Sequence, residues 1–155
     1  MRSSCDQRHH AWSLFSRAHA ALVETLDAEL QQERDLPLTW FDVLAHLAGA
    51  PQGRMRMNDL GEAVLLTRSG VTRLVDRMTE AGLLVRCACP SDRRVVFAAL
   101  TPKGRAAFAE AAPVAVRGVE QHFARHLTAA EERAFVSALS KLVTACRAPG
   151  SRRAG

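Results

Sequence analysis

The chain has 155 residues, 48% hydrophobic and 24% charged, with a formal net charge of +5 and a pI near 9.7. That length suits one domain, or one domain with helical extensions, and buries roughly two-thirds of the unfolded surface without staples. The composition excludes a disordered chain, no apolar run reaches the ~18 residues of a membrane span, and the opening MRSSCDQRHH lacks an apolar signal core.

The expected location is therefore cytoplasmic. Four cysteines, Cys5, Cys87, Cys89 and Cys146, lie outside zinc-site spacing. Without an export signal, reduced thiols are their default state.

Residues 8–34 read as a first helix, with Trp12, Phe15, Ala18, Leu22, Leu26 and Leu30 at helical spacing. Asp35-Leu36-Pro37 ends it, because proline disfavours helix in the residue before it. Thr39 is the expected cap of a second helix, from Trp40 to about Ala48, and residues 49–53 form a loop. Met55-Arg56-Met57 alternates but is too short to assign alone. Asn58 is the expected cap of a third helix, Asp59 to Leu66, burying Leu60, Val64 and Leu65.

The stretch Thr67 to Gly82 is the most informative. Val71, Leu74, Val75 and Met78 fall at i, i+3, i+4 and i+7, one apolar stripe of an amphipathic helix. The other side carries Arg68, Ser69, Thr72, Arg73, Asp76 and Arg77. Thr67 can cap this helix and Gly82 can end it in a left-handed conformation. Two short helices joined so tightly match a helix-turn-helix. Arginine reads guanine edges or grips phosphate, and short hydroxyls allow close approach to a groove. The plain alternative is a solvated helix face.

Beyond Gly82 the period changes to that of strands. Residues 83–89 and 95–100 flank the polar turn Pro90-Ser91-Asp92-Arg93-Arg94, which predicts a β-hairpin with a basic tip. Helix-turn-helix followed by such a hairpin is a winged helix. Thr101-Pro102 opens a fifth helix running to about His126, with Pro113 expected to kink or split it. Thr128-Ala129-Ala130-Glu131 is a capping box. A last helix follows, with Phe135, Ala138, Leu139, Leu142, Val143 and Cys146 on one stripe. Residues 147–155 read as a disordered basic tail.

The expected fold class is mainly α with a small β-hairpin wing. A winged helix-turn-helix DNA-binding domain spans 38–101, and a helical dimerisation region is built from 8–34 and 102–146. Charge follows this division: residues 54–105 hold ten Lys/Arg against five acids, whereas the rest of the chain holds eleven of each. A basic centre between neutral arms fits a polyanion-binding core.

From about Leu38 to Glu110 the sequence resembles the MarR family of winged-helix transcription regulators. The residues that carry the likeness are Thr39 through Leu47, Met57-Asn58-Asp59-Leu60-Gly61, Ser69 through Met78, Gly82-Leu83-Leu84, Asp92-Arg93-Arg94 and Leu100-Thr101-Pro102-Lys103-Gly104. The resemblance implies a homodimer closed by the terminal helices, with one winged helix per subunit. It implies binding to double-stranded DNA at a near-palindromic operator, usually as a repressor, and release by a small phenolic or other lipophilic effector. It also implies roles for single residues. Arg68, Ser69, Thr72 and Arg73 match the major-groove face of the recognition helix, and Arg77 matches a phosphate-facing position. Arg94 matches the wing arginine that enters the minor groove, and Asp92 its carboxylate buttress; the alternative for Asp92 is an ordinary turn former.

Dimerisation has a physical argument of its own. One winged helix offers few contacts, and the first, fifth and sixth helices carry more apolar face than it can cover. A two-fold pair would set two recognition helices about 34–36 Å apart, one turn of DNA.

An effector pocket could be lined by Trp12, Phe15, Trp40, Phe41 and His46, with core packing as the alternative for each. Asp42 and His46, four apart, could interact on one helix face. His122 and His126 share the spacing of a helical metal pair, but no third ligand is evident. Cys87 and Cys89 share a strand face, which leaves thiol-based sensing as a further alternative. A winged helix used for protein contacts is another. No cofactor or metal is expected, and no nucleophile, base and orienter occur at useful spacing, so the chain does not read as an enzyme.

Overall fold

The computed structural model describes residues 4–88 and 95–147. The turn 89–94 and the tail 148–155, which carry the expected wing tip and disordered end, lie outside the described residues. The chain divides into two units, at Arg117 and Gly118.

In the first unit, α1 (Ser4–Arg34) begins four residues before the expected start. It ends where Asp35 turns left-handed (φ 50°) and the Leu36 N–H reaches back to the Leu30 carbonyl at 3.5 Å. Helix α2 (Leu38–Gly49) starts directly after Pro37, with no side-chain cap of its own. Thr39 is therefore already inside the helix and is not the cap. The Leu38 N–H instead donates to the Asp27 carboxylate of α1 at 2.7 Å, a negative charge at the positive end of a helix. A tight turn, Pro51–Gly53, leads into β1 (Arg54–Arg56).

Helix α3 (Met57–Ala63) likewise begins before its expected cap, so Asn58 does not cap it. Leu65 takes a left-handed conformation (φ 57°) in the turn that follows, which points its side chain outward. It is 81% exposed rather than buried, whereas Leu60 is fully buried. Helix α4 (Arg68–Glu80) is capped by Thr67 as expected, the hydroxyl accepting from the Gly70 N–H at 3.1 Å. Gly82 follows it in the left-handed region (φ 76°).

The expected hairpin is present as β2 (Leu84–Ala88) and β3 (Val96–Leu100), and β1 adds a third antiparallel strand in the order β1-β3-β2. Arg56 pairs with Phe97 and Arg86 with Ala98. The core gathers Leu30 and Leu36, then Val43, Leu44 and Leu47 of α2, and Leu60 of α3. To these it adds the α4 stripe Val71, Leu74, Val75 and Met78, with Leu84 and Ala98 of the sheet. Each such Leu, Val or Met side chain contributes about 1.5–3 kcal/mol on burial. The alternation of the strands and the 3.6 period of the helices thus converge on one centre.

Helix α5 (Pro102–His122) opens as expected, with the Thr101 hydroxyl accepting from the Gly104 N–H at 3.0 Å. The same hydroxyl donates to the Gly82 carbonyl at 2.7 Å, so the helix start is tied to the end of α4. Pro113 does not split the helix into two elements. The helix stops at His122, where Phe123 leaves helical geometry, and Ala124–His126 form a separate tight turn. His122 and His126 therefore do not share one helix. At the C-terminal end of α1, Arg34 donates to the Glu110 carbonyl at 2.9 Å and Glu33 pairs with Arg117.

In the second unit, Thr128 and Glu131 form the expected capping box. The Thr128 N–H donates to the Glu131 carboxylate at 2.8 Å, and the Glu131 N–H to the Thr128 hydroxyl at 3.3 Å. These hydrogen bonds favour the charged carboxylate and hold the Glu131 pKa below its usual value. Helix α6 (Ala129–Arg147) follows, with the Phe123 and Phe135 rings 5.5 Å apart. Its Val136, Leu142 and Val143 are each at least half exposed. Among the described residues no helix is long and apolar enough to cross a membrane.

Gly104 shows how closely the α5 start meets the end of α4. A Cβ there would lie 2.1 Å from the Leu83 carbonyl oxygen. Gly104→Ala should therefore lower stability by about 1–3 kcal/mol. Gly49→Ala, which meets nothing within 4 Å, should leave the thermal midpoint nearly unchanged. Equal midpoints for the two variants would contradict this packing.

Candidate nucleic-acid interface

The four buried side chains of α4 fix which way the helix faces. Their stripe is sealed into the core, so Arg68, Ser69, Arg73, Asp76 and Arg77 are exposed and Thr72 is half-buried. The helix start is tightly bonded. Thr67 and Ser69 hydroxyls lie 3.2 Å apart, and the Thr72 hydroxyl donates to the Arg68 carbonyl at 2.9 Å. Arg68 is drawn toward α3, donating to Asn58 at 3.3 Å. Asn58, expected as a cap, thus joins the two helices of the helix-turn-helix instead.

Arg77 lies over the Trp40 ring of α2, its guanidinium carbon 5.7 Å from the ring centroid. This cation–π contact limits where the guanidinium can go. Arg73 is exposed and takes part in no ion pair among the described residues. The result is a compact surface of three arginines and two hydroxyl side chains on a rigid helix. Its chemistry matches phosphate oxygens and the acceptors of guanine.

One member was not singled out from the sequence. Arg86 of β2 forms an ion pair with Asp76 at 2.7 Å and donates to the Thr72 carbonyl at 3.2 Å. A signal was present: strand alternation puts Arg86 on the same face as buried Leu84, where a charge needs a partner. The wing residues Asp92 and Arg94 lie outside the described residues.

The five residues read as an effector pocket make different contacts among the described residues. Trp12 and Phe15 contact each other (6.1 Å between centroids) on the exposed half of α1. Trp40 holds Arg77, and Phe41 stacks on Phe108 of α5 at 5.6 Å. His46 lines a cleft of about 720 Å³, with Arg54, Arg56, Asp59 and Phe97. Loss of hydration raises the pKa of Asp42, and the charge of His46 one turn on opposes that shift. Among the described residues no three His, Cys, Asp or Glu side chains come together as a metal site.

Residues 34–95 match the model of the MarR family. The chain is 33% identical to the HTH-type transcriptional regulator MhqR of Bacillus subtilis (strain 168), over 59% of this chain and 61% of MhqR. It thus spans about three-fifths of the length of that relative. Among solved structures, Sco3205 of Streptomyces coelicolor, a MarR family transcriptional regulator in complex with DNA, superposes with a TM-score of 0.91 at 27% identity. That match covers 98% of this chain and 95% of Sco3205. BpsR of Bordetella bronchiseptica, whose DNA binding is regulated by 6-hydroxynicotinic acid, superposes at 0.75 with 29% identity, covering 86% of this chain and 98% of BpsR. The order of helices and strands and the packed α4 agree with these likenesses: residues 34–95 are similar to the MarR family, and the fold is that of MarR winged-helix structures.

Proposed function

We propose that the protein is a dimeric, sequence-specific DNA-binding transcriptional regulator, a repressor released from a near-palindromic operator by a small lipophilic or phenolic ligand. The observation that carries this reading is the exposed Arg/Ser/Thr face of α4, turned outward by its buried stripe. Arg68, Ser69, Thr72 and Arg73 enter the major groove, Arg77 holds phosphate, and Arg94 with Asp92 serves the minor groove. The complex of the related Sco3205 with DNA supports this assignment.

A second copy of the chain would cover the apolar surface that one copy leaves open. Trp12 is 68% exposed and Leu14 50%, and on α6 Val136 and Leu142 are each 57% exposed. Isolated exposed apolar residues are ordinary, but rows of them along helices mark an interface. The effector site, with Trp12, Phe15, Trp40, Phe41 and His46, is assigned to the assembled dimer, since Trp12 and Phe15 lie on the exposed surface of α1 that a second copy would cover. Regulation of BpsR by a hydroxylated aromatic acid supports an effector of that general kind.

Light scattering on the purified protein should give twice the 16.9 kDa chain mass, and Trp12→Glu should shift the population toward monomer. A parent that stays monomeric at micromolar concentration would overturn the dimer. For DNA, duplexes selected by the parent from a random library should bind with a steep negative salt slope, about −0.9 per phosphate contact. Arg73→Ala should weaken binding by about tenfold to a hundredfold and relax base preference at one position per half-site. If Arg73→Ala and Arg94→Ala both bind as the parent does, the interface lies elsewhere.

A further inference from the structure

Arg86 shares a strand face with buried Leu84, and its exposed side chain reaches α4. Its Nη2 lies 2.7 Å from the Asp76 carboxylate and 3.2 Å from the Thr72 carbonyl. Thr72 and Asp76 are four residues apart, so one guanidinium grips one full turn of the recognition helix. Arg73 projects from that same turn.

We propose that Arg86 is a positioning residue that latches the wing sheet to the recognition helix and so sets the distance and angle between the two parts that touch DNA. This rests on the DNA-binding reading given above. The physical reason is that the helix in the major groove and the wing in the minor groove must fit one duplex at once. Freedom between them has to be lost on binding unless the protein has already removed it. The side chains of Arg86 and Asp76 are 34% and 52% exposed, and such ion pairs add little to folding stability. The pair's effect therefore belongs to geometry. It also cancels the charge of Asp76, a carboxylate beside Arg73 and Arg77 that would otherwise repel phosphate.

The test uses the full chain and a duplex selected from random DNA by the parent. Arg86→Ala should keep its thermal midpoint within a few degrees yet bind the duplex about 5- to 30-fold more weakly. Arg86→Lys, which keeps the charge but loses the planar fork, should recover only part of that affinity. The salt slope should stay at the parent value, since a lost phosphate contact would reduce it by about one. Arg94→Ala should cost less in the Arg86→Ala background than in the parent, because an unlatched wing is already misplaced. Without DNA, amide exchange in Leu84–Ala88 and Val96–Leu100 should be faster in Arg86→Ala.

Three results would overturn the latch: unchanged affinity in Arg86→Ala, a slope reduced by one, or full rescue of Arg86→Ala by Asp76→Asn, which would leave charge cancellation as the whole effect. If the parent selects no duplex, the DNA reading falls. Amide exchange in the free protein then decides separately whether Arg86 holds the sheet.

Discussion

Burial of the α4 stripe is the constraint on which the rest depends. Val71, Leu74, Val75 and Met78 enter the core against α2, α3 and the sheet, and a helix sealed along one side can present only the other. The polar composition of that other side would mean little on a helix free to rotate. Because the stripe is completely dry at Val75 and Met78, rotating α4 by a quarter turn would put arginines where methyl groups now pack. A buried unpaired charge costs far more than any one contact the helix makes with solvent or ligand. The reading surface is thus specified by what lies behind it.

The surroundings of α4 refine that orientation rather than create it. Asn58 reaches its first turn, Arg86 its second, and Trp40 its third, each from a different element. Individually these are weak, partly exposed contacts. Their value is that they come from α3, β2 and α2, so the helix is held relative to the wing and to α2 at once. The connection continues through Phe41, next to Trp40, which stacks on Phe108 of α5. A shift of α5 therefore has a short physical path toward Arg77, through the Phe108–Phe41 stack and the adjoining α2 backbone to Trp40.

Much of this was legible in the sequence, and where it was not the reason is physical. The α4 period, the Thr67 cap, the Gly82 stop and the Thr128–Glu131 box depend on residues within a few positions of one another, so local chemistry is enough. Thr39 and Asn58 misled because both are good caps on their own terms. Their helices start earlier, and α2 takes its capping carboxylate from Asp27, eleven residues before Leu38. Arg86 could be placed on a face by alternation, but its partner Asp76 is contributed by another element. Leu65 read as apolar and therefore buried, although the left-handed turn it occupies sends it to solvent. The five aromatic and histidine side chains read as a pocket are distributed over α1 and α2, and sequence spacing alone does not say which of them meet.

The most direct measurement is a hydroxyl-radical footprint of the parent on a duplex it selects, repeated with Arg73→Ala. The account predicts two protected patches centred about 10–10.5 base pairs apart on one side of the helix, both fading together in the variant. A single protected patch, or two patches whose protection is indifferent to Arg73, would contradict it.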